Sequence, residues 1–302
     1  WVTAAFPGPA FGEPSKHSAA MVVLGALNFG ETSDLYKKLV VAEQKVDQLI
    51  VDVPSSVDPA LFTVLARVKN PADAIYVRDQ ILSAFARSRA VPVTAERLAD
   101  AKSFNKYSLA RSIDSTERVA AVVNSYASFR RSFETVNTYF RTLDSLTPAD
   151  LQSAASNYFV DNGLIVATLS SGPLPAGIEH APTLASLASP GSATAETPTK
   201  PHPTAGKTAD GADVPLVRQK SPLPQLQVKF LFTVGSAHDP QGKEGLASLA
   251  AAMMTEAGSK SMTIDEIEAT MYPTAGSFGN RVDKEMTAFT ATIHRDNWRT
   301  LA

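Results

Sequence analysis

The chain has 302 residues, 44% of them apolar and 19% charged, with a net charge of −2. That length suits two domains and that composition a well-filled core, while the near balance of charge removes any electrostatic case for nucleic acid or an anionic membrane surface. Cysteine is absent, which excludes disulfides, thiolate catalysis and cysteine-held zinc, and no apolar run approaches the roughly 20 residues of a membrane span.

Residues 1–172 read as one unit. Trp1–Phe6 is a strand, followed by the turn PGPAFGEPS, whose last residue, Ser15, precedes an apolar helical pattern through Ala20, Val23, Leu24 and Leu27 that ends near Gly30. Ser33 opens a second short helix, SDLYKKLVVAEQ. KVDQLIVDV and ALFTVLARV follow as strands, the latter with Leu61, Thr63, Leu65 and Arg67 alternating against Phe62, Val64 and Ala66. They lie too close for a helical crossover and are expected to form an antiparallel hairpin. Asn70-Pro71-Ala72-Asp73 is a helix start, with a cap, a proline at the first helical position and an acid in the first turn. That helix runs to about Arg89. Thr94, Asp114 and Thr147 announce others. Asp114-Ser-Thr-Glu117 and Thr147-Pro-Ala-Asp150 each place an acid three residues after a cap. A helix through Tyr139, Phe140 and Leu143 adds aromatic core, and Leu164–Ser170 closes the unit as a strand. Helices gathered beside an antiparallel sheet argue an α+β fold with helices packed on one face.

Residues 173–203 are rich in Pro, Ala, Ser and Thr without a sustained period and read as a partly extended linker. A second unit spans 204–302. Its Asp210-Gly211 step suits a hairpin turn, Leu226–Val234 alternates as a half-buried strand, and the loop GSAHDPQGKEG leads into a helix that ends at Gly258. Thr263-Ile-Asp-Glu266 is a capping box for another helix. Gly276–Arg281 reads as a glycine-containing turn before the strand Glu285–Ile293. The first residues read as a strand already under way and the last as a helix beginning, so we expect a piece of a longer polypeptide.

The stretch VKFLFTVGSAHDPQGKEGLASLAAAMMTEAGS, followed by GNRVDKEMTAFTATIHRDN, resembles the start of a pitrilysin/insulinase-type zinc peptidase domain, a family that includes the mitochondrial processing peptidase. The likeness rests on Gly235, Ser236, Asp239 and Pro240, then Gly242, Lys243, Gly245, Leu246, Ala247 and Met253. Residues 1–172 are similar to the second domain of such a half, through FGETSDLYKKLV and TPADLQSAASNYF. The resemblance implies four similar α+β domains in two halves that close around a peptide. This chain would be domain two, the linker between halves and the opening of domain three.

The family's opening helix carries His-x-x-Glu-His, in which two His hold Zn²⁺ and the Glu deprotonates the bound water. Matching Gly245-Leu246-Ala247 puts those positions at Ser248, Ala251 and Ala252. A Ser hydroxyl is a poor zinc ligand and a methyl group is none. The resemblance thus implies no cofactor in this segment and zinc in an upstream domain. It also assigns a peptide-pairing edge strand to Gly279, Asn280 and Arg281, by β-augmentation.

Other patterns read as structural. The five histidines, His17, His180, His202, His238 and His294, show no metal-ligand spacing and read as surface or loop residues. Tyr126, Phe129, Phe133, Tyr139 and Phe140 read as packing between helices, and Lys37-Lys38 and Arg130-Arg131 as pairs on solvated faces. No nucleophile elbow or phosphate loop is present. At the stretch VVAEQKVDQ, where active relatives would carry a Tyr, the matching position is Asp47. Two functions follow from the resemblance. One is the non-catalytic wall and hinge of a periplasmic or secreted bacterial metallopeptidase, with peptide as substrate and the parent's other domains as partners. The other is a catalytically dead homologue serving an active peptidase as partner or structural subunit.

Overall fold

A computed structural model describes residues 1–12, 16–187, 217–219, 221 and 223–301. Ser15, His202 and the Asp210-Gly211 step lie outside the described residues. The chain divides into two compact units: Trp1–Lys102 with Val119–Glu196, and Ser103–Arg118 with Thr197–Ala302.

The first unit opens with strand β1 (Val2–Pro7) and helix α1 (His17–Phe29). Ser33 then accepts a hydrogen bond from the Tyr36 N–H and starts the short helix α2 (Asp34–Tyr36). Where the sequence suggests one continuous helix, the chain widens into a π-helical stretch over Lys37–Ala42 and stops at Gln44, which sits at φ 51°. Strands β2 (Val46–Asp52) and β3 (Leu61–Val68) form the expected antiparallel hairpin. The Asn70 side chain accepts from Ala72 N–H across Pro71, and helix α3 (Ala74–Ala90) follows. Helices α4 (Ala95–Ser112), α5 (Thr116–Arg130), α6 (Glu134–Asp144) and α7 (Pro148–Tyr158) come next, then strand β4 (Ile165–Thr168). At α7 the Thr147–Asp150 capping box is complete in both directions. At α5 the capping oxygen belongs to Ser115, which accepts from Arg118 N–H, one residue beyond the expected Asp114; Asp114 instead pairs with Arg118 at 3.2 Å.

The strand order is β2-β3-β1-β4, antiparallel throughout. Alternation sends Val2, Ala4 and Phe6 of β1 and Phe62, Val64 and Ala66 of β3 to one face. There they are buried against α1, α3 and α7. Phe6, Phe29, Phe62, Phe85 and Phe159 interlock at the centre, with ring centroids 4.7–6.0 Å apart. A second aromatic group joins Phe11, Tyr126, Phe129, Tyr139 and Phe140. Phe133 stands apart from it at 76% exposed, contrary to its expected packing role. Arg130 is exposed, as expected, and also donates to the Phe11 and Gly12 carbonyls.

The start of the expected linker is built into this unit. Arg78, 3% exposed, donates to the Gly177 and Ile178 carbonyls and pairs with Asp79. Asp161 accepts from Leu184 N–H at 2.7 Å, and Leu184, in the one-turn helix α8 (Leu184–Leu187), is fully buried. A buried guanidinium needs acceptors, and the backbone of this stretch supplies two of them.

The second unit holds strand β5 (Gln225–Phe232), helix α9 (Leu246–Glu256), helix α10 (Ile264–Met271), strands β6 (Ser277–Val282) and β7 (Thr287–His294) and the short helix α11 (Trp298–Leu301). Its strand order is β5-β7-β6, antiparallel. The predicted turn at Gly276–Arg281 is therefore corrected: from Ser277 onward it is a strand, paired with β7 from Ser277↔Thr292 to Val282↔Thr287. Residues 103–118, within the stretch read as wholly part of the first unit, pack in this one. Phe104 stacks on Tyr272 at 4.7 Å, Ser103 donates to the Pro273 carbonyl, and Arg111 donates to the Ala275 carbonyl and the Ser277 hydroxyl.

Each unit therefore contains strand, helix, helix, strand, strand in the same order, with the first strand beside the last and the second outside it. Two details repeat as well. Ser33 and Thr263 cap the second helix of each copy. A glycine after each first strand, Gly8 or Gly235, lies against the backbone between the two hairpin strands.

Candidate functional site

The seat of helix α9 is made almost wholly by backbone. After β5 the chain turns at Gly235, where an added Cβ would lie 2.3 Å from the Asp283 carbonyl and 2.7 Å from Met286 N. Ser236 and Ala237 N–H groups donate to the Asp283 and Lys284 carbonyls at 2.8 and 2.9 Å. Asp239 then caps the helix from six residues upstream, its two carboxylate oxygens accepting from Gly245 N–H at 2.7 Å and Ala247 N–H at 2.9 Å. Gly242 and Gly245 take φ of 78° and 95°, a region that favours glycine. Gly235, Ser236 and Asp239 of the Gly-Ser-x-x-Asp-Pro motif thus have structural roles.

On α9, Ser248 is exposed, Ala251 is 2% exposed and Ala252 is half-buried. None offers a nitrogen or carboxylate donor to a metal, so these positions do not fit zinc. Among the described residues, no group of three or more His, Cys, Asp or Glu is placed to hold a metal ion. Ala251 instead packs toward the sheet. One turn on, Thr255 donates to the Ala251 and Ala252 carbonyls and accepts from the Asn280 amide at 2.7 Å.

Gly279, Asn280 and Arg281 lie in β6, which among the described residues has β7 on one side and no strand on the other. Gly279 and Arg281 are exposed, and Asn280 is half-buried and tied to α9. A Cβ at Gly279 would meet no atom within 4 Å, so packing among the described residues does not demand glycine there. The structure thus brings the two candidate sets onto adjacent elements. The link between them, Thr255, escaped the sequence reading; its only signal was a β-branched hydroxyl residue inside an alanine-rich helix.

The other candidates resolve individually. Asp47 forms a two-toothed pair with Arg67 at 2.7 Å to each oxygen, and that hydrogen bonding holds its carboxyl below the usual value. His238 accepts from Gly235 N–H. His17 is 3.5 Å from Ser153. His180 is exposed beside Glu179. His294 departs from expectation: it is the last residue of β7, 9% exposed, with its ring 5.0 Å from Tyr107.

No protein-family model matches the sequence, and no curated protein does. Solved structures do. A protease from Helicobacter pylori superposes with TM-score 0.51 at 22% identity, over 55% of this chain and 39% of that one. The chain spans about two-fifths of that protease's length and shares its fold over the matched part. More distant likenesses include the periplasmic protease PqqL from Escherichia coli, with TM-score 0.48 and 13% identity over 98% of this chain and 37% of that one. Another is a peptidase M16 inactive domain from Pseudomonas fluorescens, with TM-score 0.46 and 13% identity over 57% of this chain and 42% of that one. No helix among the described residues is long and apolar enough to cross a membrane.

Proposed function

We propose that this chain is a non-catalytic portion of a zinc metalloendopeptidase of the pitrilysin/insulinase type. It forms wall and hinge of a chamber that encloses peptide, while zinc and hydrolysis belong to another domain of the parent. In this reading 1–172 is one peptidase-like domain, 173–203 joins the halves and 204–302 opens a second. One observation carries the proposal. A strand-helix-helix-strand-strand layout occurs twice, and in its second copy the helix that holds zinc in such enzymes bears Ser248, Ala251 and Ala252. The edge of β6 that has no strand beside it among the described residues supports a role for Gly279, Asn280 and Arg281 in pairing with substrate backbone. A periplasmic or secreted location is part of this proposal, and the cysteine-free composition is compatible with it.

The test is metal content by mass spectrometry together with cleavage of a fluorogenic peptide library. Residues 1–302 are expected to bind no stoichiometric zinc and to cut nothing. The full product of the parent gene is expected to bind one zinc and to cut. One equivalent of tightly held zinc on 1–302 would overturn the proposal. A full parent without zinc would favour the partner-subunit function instead.

A further inference from the structure

The stretch 173–187, expected as the start of a linker, is gripped at two points. At its front, Gly177 takes φ 89°. The turn there brings two successive carbonyls, those of Gly177 and Ile178, to Arg78 Nη1 at 3.2 and 2.6 Å. At its rear, the Asp161 carboxylate accepts from Leu184 N–H at 2.7 Å. The Leu184 side chain is buried there as α8 packs on α3.

Apart from these grips the stretch has little to hold it. It joins neither sheet among the described residues. α8 is a single turn, too short to persist unaided, and Ala181 and Leu187 are only part-buried. Its other backbone hydrogen bonds are isolated turns, from Ile178 N–H to the Pro175 carbonyl, His180 N–H to Gly177 and Ser186 N–H to Thr183. Segments with few buried apolar contacts open before the core they lie on. Opening here strands no charge. Arg78 keeps Asp79 at 2.8 Å, and water replaces the two carbonyls once the stretch no longer covers the guanidinium.

We propose that residues 173–187 are a latched strap, which closes on the first unit through Arg78 and Asp161 and opens as one piece while the core of that unit stays folded. Arg78 is the positioning residue of the latch. The device sets the reach between the two copies of the layout. Closed, it ties the chain to the first unit as far as Leu187. Open, it adds up to about 50 Å of fully extended chain to the tether. The latch requires only two copies joined by this segment, whatever reaction the parent performs.

The test is hydrogen exchange of the full 302-residue chain, read residue by residue by NMR. The amides of Ile178, His180, Leu184 and Ser186 are expected to share one protection factor within about threefold, at least about tenfold below the amides of central strand β1. Arg78→Met should speed exchange of all four together by about tenfold or more and leave β1 unchanged. Gly177→Ala strains the latch from the strap side alone, because its new Cβ would meet no atom within 4 Å while the residue keeps a left-handed φ. It should speed the same four amides by about fivefold or more. If Arg78→Met destabilises the whole unit, Gly177→Ala decides. Unchanged exchange at Leu184 and Ser186 in Gly177→Ala would make the two grips independent and overturn the proposal. An equal rise in β1 in that variant would do the same, since the stretch would then be part of the core.

Discussion

The two units follow one path and reach different degrees of closure. In the first, five phenylalanines meet under three helices, and the central strands are sealed. In the second, Phe289 is 6% exposed, while its ring partners Phe232 and Phe278 remain about half open to solvent. The path needs only local instructions: a glycine after the first strand, a capped second helix and a short hairpin. Closure needs elements that arrive later in the chain. The first unit has them as α3, α7 and β4, and most of its burial depends on them.

The difference in closure should show most strongly in the cores. Phe85→Ala should cost about 3–5 kcal/mol, because its ring contacts four others in a sealed site. Phe289→Ala should cost clearly less, because part of its surroundings is already solvent. Differential scanning calorimetry, with each unit's transition tracked separately, reads both. Equal losses would mean that the second core is as closed as the first.

Gly235→Ala tests whether the backbone seat of α9 matters as argued. The new methyl would meet the carbonyl and amide backbone of residues 283 and 286, and overpacking of this kind costs about 1–3 kcal/mol. Gly8→Ala, with 3.0 Å to the Ala60 carbonyl, should be milder. Denaturant titration that ranks Gly8 as the worse position would refute the parallel.

The smallest effect concerns the caps. Thr147→Ala should cost about 1 kcal/mol, and Thr263→Ala should behave alike. Hydrogen bonds from the Thr263 N–H and hydroxyl hold the Glu266 carboxyl below its ordinary value. A depressed carboxylate contributes stability above its unfolded pKa, about 4.3, and loses it as pH falls through the folded one. Fraying of α10 should therefore appear only in acid below about pH 4. A carboxyl NMR titration should show Glu266 returning toward its ordinary value in Thr263→Ala.

How legible this was in the sequence varied with the range of the determinant. The Thr147 and Thr263 boxes, the β2–β3 hairpin and the α+β class rest on residues within a few positions of each other, and they were readable. Strand β6 was not. Gly279 and Asn280 favour a turn locally, and pairing with β7 makes them extended. The docking of residues 173–187 was equally hidden, because its cause is Arg78, a hundred positions earlier. At the candidate site, Ser248, Ala251 and Ala252 could be picked out only through a resemblance. That Thr255 links the Ala251 and Ala252 carbonyls to Asn280 required coordinates.

The loop that carries α9 is held to the neighbouring hairpin by main-chain amides meeting main-chain carbonyls, and the helix start is pinned by Asp239. None of those anchors is a side chain that chemistry at Ser248 or Ala252 would use. In this scaffold, then, position and reactivity are written in separate residues. A copy can surrender its reagents and still stand in register as architecture.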